Sequence, residues 1–174
     1  MKDRHRGAVG LIALAGLCAG TSVLACGDKF LVAGRGARFQ RGGSHALVVV
    51  IYAPPSSTLA GGAGSVEKVL SRAGYHPAVA ASPEELGKVL ADSNPGVVLA
   101  DITDAPAVAK VTPSGKAAPT VVPVLGNATR EGLAEARKTW GVALKASSSG
   151  DSLLDAVDEA VELRAKAQKG IPKV

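Results

Sequence analysis

Alternation is what most restricts the folds open to this chain. Over residues 46–165, five short apolar runs (46–53, 77–81, 97–101, 119–125 and 142–145) are separated by segments whose apolar residues recur at helical spacing. The strongest run holds Val48, Val49, Val50 and Ile51 in succession, and another holds Val97, Val98, Leu99 and Ala100. Unbroken β-branched and aliphatic runs of this length fit strands covered on both faces. Strands alternating with helices predict a parallel sheet with right-handed crossovers and helices on both sides.

Local signals place the helices. Ser65 can cap a helix with Val66, Val69, Leu70 and Ala73 inward, ended by Gly74. Ser82, Pro83 and Glu85 form a capping box ahead of Leu86, Val89 and Leu90. A short helix fits residues 105–111, and a longer one starts near Arg130, carries Leu133, Ala136 and Trp140, and stops at Gly141. The last helix fits residues 151–167, with Leu153, Leu154, Val157, Ala160 and Val161 inward. The weakest run, 77–81, suits an edge strand. The whole fits a flavodoxin-like three-layer α/β/α fold with strand order 2-1-3-4-5.

Charge divides the chain further. The formal net charge is +5, yet residues 46–163 hold nine basic and thirteen acidic residues. The positive charge lies at the ends: Lys29, Arg35, Arg38 and Arg41 in a Gly-rich tether over 26–45, and a basic tail over 166–174 beside Arg164. With basic residues at the ends and only five aromatics, neither a basic folded face nor a stacking platform is expected, so no nucleic-acid partner is.

Residues 1–25 read as a signal peptide. Lys2, Arg4 and Arg6 precede an uncharged apolar stretch over 8–25, and Val23 and Ala25 supply small residues at a cleavage site. An uncleaved anchor is the other reading of that stretch. Cys18 would be removed, leaving Cys26 as the first residue and sole thiol. Val23-Leu24-Ala25-Cys26 resembles a bacterial lipobox, although Leu24 replaces the usual small residue. That implies lipidation at Cys26 and a membrane-anchored protein of the cell envelope; plain export would leave a periplasmic or secreted protein with a free thiol.

The 97–101 run leads straight into Asp101, at the sheet edge where ligands of open α/β folds sit. Val97-Val98-Leu99-Ala100-Asp101 resembles the third strand of a response-regulator receiver domain, which ends in the phosphate-accepting aspartate. Ala143-Leu144-Lys145 resembles that family's fifth strand, whose lysine reaches the phosphoryl group. The resemblance also implies an acidic pair after the first strand to hold Mg²⁺. Here that place is residues 51–54, and no Asp or Glu stands between Asp28 and Glu67. Mg²⁺ needs carboxylate oxygens and phosphoryl transfer needs the metal, so Asp101, even with Asp104, leaves the site crippled and no cofactor is expected. The hydroxyl that the family places at the end of its fourth strand is missing near Val124 and Leu125, Thr129 lying too far into the turn, and the proline after the lysine is Ala146.

These residues describe a pseudo-receiver: exported, lipid-anchored, not an enzyme, and acting on an unidentified protein partner in the envelope. The family's signalling face would be residues 130–140 with the last helix, where Trp140 is either core or contact. Two alternatives stay open: a small anionic-ligand module at the Asp101/Lys145 edge, and a phosphoacceptor of a phosphorelay. The plain reading of Asp101 is a strand-end carboxylate that caps a turn or pairs with Lys145, and that of Lys145 is a solvated strand end. The 61–64 loop lacks the Lys-Ser/Thr of a P-loop, His45 and His76 have no ligand-spaced partner, and Ser147, Ser148 and Ser149 read as loop and cap.

Overall fold

The computed structural model describes residues 47–115 and 118–169. The leader 1–25, Cys26, the 26–45 tether with His45, and residues 170–174 of the basic tail lie outside them. The elements run β1 (Val48–Tyr52), α1 (Ala63–Arg72), β2 (His76–Ala80), α2 (Pro83–Ser93), β3 (Val97–Asp101), α3 (Ala105–Val111), β4 (Thr120–Leu125), α4 (Arg130–Trp140), β5 (Leu144–Lys145) and α5 (Gly150–Lys169). The strands form one parallel sheet in the order β2-β1-β3-β4-β5, the flavodoxin-like arrangement.

Side-chain alternation builds the two outer layers. Val49, Ile51, Val97, Leu99, Val122 and Val124 point to the face covered by α1 and α5, where Leu70, Leu153 and Val157 meet them. Val50, Tyr52, Val98 and Ala100 point to the other face, against Leu86, Leu90 and Val108 of α2 and α3. Ala136 of α4 packs with Leu125 and Ala143. Trp140 is half-buried against the α2/α3 layer, so its ring belongs to the core. All five residues of β3 are buried, as expected of a central strand.

Pro123 lies inside β4, where a missing N–H normally breaks a ladder. Its neighbour Val124 accepts from Ile102 on the β3 side, and Leu125 accepts from Ala146 on the β5 side. Pro123 therefore faces β5, which begins only opposite Val124, so no ladder bond is lost. Gly96 is fixed by packing: a Cβ there would lie 2.4 Å from the Leu47 side chain.

The cap at Ser82 forms as its sequence predicts, with the reciprocal glutamate bond made one residue upstream of the cap. Ser82 Oγ accepts from Glu85 N at 3.2 Å, and Glu85 Oε2 reaches back to accept from Ala81 N at 2.7 Å. Two boundaries differ from expectation. Helix α1 starts at Ala63 with Gly62 as its cap, so Ser65 is an exposed first-turn residue and caps nothing. Strand β5 pairs over two residues only, because Val142 and Ala143 are buried without joining the ladder. Among the described residues no helix is long and apolar enough to cross a membrane.

Candidate functional site

After β1 the chain turns over the carboxyl edge of the sheet. Pro54 and Pro55 end the strand, and three successive turns follow: Ser57 N donates to Pro54 O, Ala60 N to Ser57 O, and Gly62 N to Leu59 O. Leu59 sinks into the core at 5% exposure, which anchors this loop and fixes where its hydroxyls point. Thr58 thereby meets Asp101, 43 residues away in sequence.

Asp101 is 4% exposed. Its Oδ2 accepts from Thr58 N at 3.1 Å and from Thr58 Oγ1 at 2.5 Å. Its Oδ1 accepts from Thr103 N at 3.1 Å and from Thr103 Oγ1 at 2.9 Å. Burial pushes the carboxyl up, but these bonds outweigh it and hold Asp101 below its ordinary value as an anion. Asp101 thus caps the turn after its own strand and clasps the β1–α1 loop. Gly126, just past β4, makes room for the clasp: a Cβ there would lie 2.8 Å from Thr58 Cγ2.

The surrounding groups do not build a cation site. Where an acidic pair would stand after β1, Tyr52 and Ala53 are buried and Pro54 follows. The Tyr52 hydroxyl is pushed up by burial, then by the charges of Asp104 and Glu84. Asp104, flanking α3, is pushed up by burial and by Asp101. Both Asp101 oxygens already carry two hydrogen bonds, and Asp104 alone beside them is a poor donor set for Mg²⁺. The residues present do not fit that metal.

Lys145 is placed differently. It is exposed at the end of β5 and is not among the partners of Asp101. It rims a cleft of about 210 Å³ with a floor of Leu99, Val124 and Leu144 and walls from Leu59 and Leu153; Asp101 does not line it. The pairing of Asp101 with Lys145 that the sequence left open is therefore not formed; threonines take its place. Thr129 is not among the partners of Asp101 and caps α4 by accepting from Gly132 N at 3.1 Å. His76 stands exposed at the start of β2, and Ser149 accepts from Ser152 N at the start of α5.

Thr58 is the functional-edge residue that sequence reasoning missed. A hydroxyl does reach Asp101, from the β1–α1 loop and not from the end of β4. The available signal was the run Ser56-Ser57-Thr58 directly after the strand-ending prolines, on the edge that also holds Asp101.

No protein-family model matches this chain. No curated protein matches it either. Solved structures do. A CheY-like response-regulator receiver domain from Methanospirillum hungatei JF-1 aligns with a TM-score of 0.51 at 17% identity, over 70% of this chain and 98% of that one. A response regulator from Thermotoga maritima aligns with a TM-score of 0.50 at 14% identity, over 67% and 98%. NtrX from Brucella abortus, in complex with ADP, aligns with a TM-score of 0.56 at 18% identity over 70% of this chain, which spans only 28% of NtrX. At these identities the likeness is one of fold: the domain has a receiver-like architecture.

Proposed function

We propose that this protein is an exported, lipid-anchored, receiver-like domain that has given up phosphotransfer and acts by binding a protein partner in the cell envelope. One observation carries the reading. The carboxylate at the phosphoacceptor position is enclosed by Thr58 and Thr103, with Tyr52, Ala53 and Pro54 standing where a receiver holds its metal-binding acids. A nucleophile needs an accessible lone pair and a cation to offset developing charge. Here both oxygens are occupied and the cation's ligands are missing. The leader and the Val23-Leu24-Ala25-Cys26 motif support export and anchoring at Cys26.

The test is incubation of the protein with Mg²⁺ and a small phosphodonor, followed by intact mass measurement. No phosphoryl adduct is expected; an adduct lost in Asp101→Asn would make the protein a phosphoacceptor instead. Radiolabelled palmitate should enter the protein and fail to enter Cys26→Ser. For the partner, a crosslinked pull-down from envelope extract should yield a defined species that Glu131→Lys with Glu135→Lys on exposed α4 abolishes.

A second reading, a small-anion module, draws on the cleft rimmed by Lys145. A thermal shift of several degrees with a small organic anion, absent in Lys145→Ala, would favour it over partner binding.

A further inference from the structure

The two edges of the sheet carry opposite charge. The five helices of the described residues return antiparallel to the strands, so their last turns gather at the amino edge. Those turns hold Arg72 in α1, Lys110 in α3, Arg137 and Lys138 in α4, and Lys166 and Lys169 in α5. The carboxyl edge holds Glu84 and Glu85 of α2, Glu131 of α4, Asp151 of α5, and Asp101 and Asp104, against only Arg130 of α4 and Lys145 of β5 among the residues that end or begin these elements. Each placement follows the helix dipole. Because the helices are aligned, the local preference becomes a molecular one.

Helix α5 extends this basic edge. Thr120, the first residue of β4, donates through Oγ1 to Ala160 O at 3.2 Å, which fixes Ala160 level with the amino edge. The helix then continues to Lys169, roughly 13 Å further at 1.5 Å per residue. Arg164, Ala167 and Gln168 flank Gly115 and Pro119 of the loop that enters β4. Lys166 and Lys169 are exposed. The opposing acids at this edge are Asp92 of α2 and Glu159 and Glu162 of α5, while Glu135 sits 3.2 Å from Lys138. The first described residue, Leu47, sits at this edge too.

We infer that the amino edge is a docking surface for an anionic lipid bilayer, with the end of α5 against the headgroups and the Asp101 edge turned outward. A charged plane meets four basic helix ends and both exits of the described chain at once. Each Lys or Arg brought near an anionic surface strengthens its hold by about fivefold. This inference stands apart from partner binding at α4 and from lipidation at Cys26.

Amine acetylation footprinting of the full chain, read by mass spectrometry, tests it. The chain is mixed with vesicles of phosphatidylcholine alone or with about a third phosphatidylglycerol. The apolar leader can enter either, so the comparison isolates headgroup charge. Lys110, Lys166 and Lys169 should be protected about threefold more on the anionic vesicles, with Lys145 unchanged and the difference lost in high salt. Lys166→Glu with Lys169→Glu, both exposed, should leave circular dichroism unchanged and halve the protection of Lys110. Equal protection on both vesicles, protection centred on Lys145, or undiminished Lys110 protection in the double variant would each overturn the inference. So would stronger protection by duplex DNA at matched phosphate, which would reassign the surface to nucleic acid.

Discussion

Strands β3 and β5 end at the same edge of one sheet, each in a charged residue, and the two residues meet opposite fates. Asp101 ends a strand buried along its whole length, and the β1–α1 loop folds across it. Lys145 ends a two-residue outer strand and faces solvent beside a cleft. The difference lies in what the neighbouring loop brings. Over Asp101 come a backbone amide and a hydroxyl that satisfy a buried anion; near Lys145 come Ser148 and apolar side chains. A strand-end charge is thus a site or a structural clasp according to the loop opposite it.

The strands beneath give the largest effect that could break this contrast. Leu99→Ala, wholly buried in central β3, should cost about 4 kcal/mol in urea unfolding, and Leu144→Ala, in the two-residue outer strand β5, about 2 kcal/mol, although both side chains floor the cleft. A reversed order would remove the distinction between a sealed and an open end.

The clasp comes next. Thr58→Val keeps the backbone bond but deletes the hydroxyl on a buried carboxylate, and should cost about 2 kcal/mol. Gly126→Ala places a methyl against Thr58 and should cost about 1–2 kcal/mol by pushing the clasp apart. Lys145→Ala should change stability by less than about 0.5 kcal/mol. Equal losses at Thr58 and Lys145 would erase the contrast.

The smallest effect sharpens it through pH. The folded Asp101 titrates below its unfolded value, so its stabilisation is complete above about pH 4 and is lost as pH falls through the lower, folded pKa. Asp104 runs the other way: its folded pKa is raised, so its contribution is present below the unfolded value and lost as pH rises through the folded one. Asp104→Asn should therefore raise the melting temperature slightly at neutral pH and leave it unchanged in acid. A drop at neutral pH would show that Asp104 is held by partners rather than repelled by Asp101.

The sheet was legible because its signals are local. Val48 to Ile51 and Val97 to Ala100 mark central strands without help from elsewhere, and Ser82, Pro83 and Glu85 write their capping box into four consecutive residues. Asp101 and Lys145 were placed at the correct edge because each ends a readable strand. The loop was not legible. Thr58 finds Asp101 only once β1 lies beside β3 and Leu59 is buried, and neither fact is visible in residues 54–62. Ser65 misled for the same reason: Gly62 and Ala63 start the helix because the preceding turns deliver the chain there.

The central claim is that Asp101 is a sealed, hydrogen-bonded anion, and carbon-detected NMR titration of its carboxyl tests it most directly. The account expects a midpoint below the ordinary aspartate value of about 3.9, moving upward in Thr58→Val. A midpoint at or above that value, unmoved by Thr58→Val, would show an open carboxylate that threonine does not hold, and the account would be wrong.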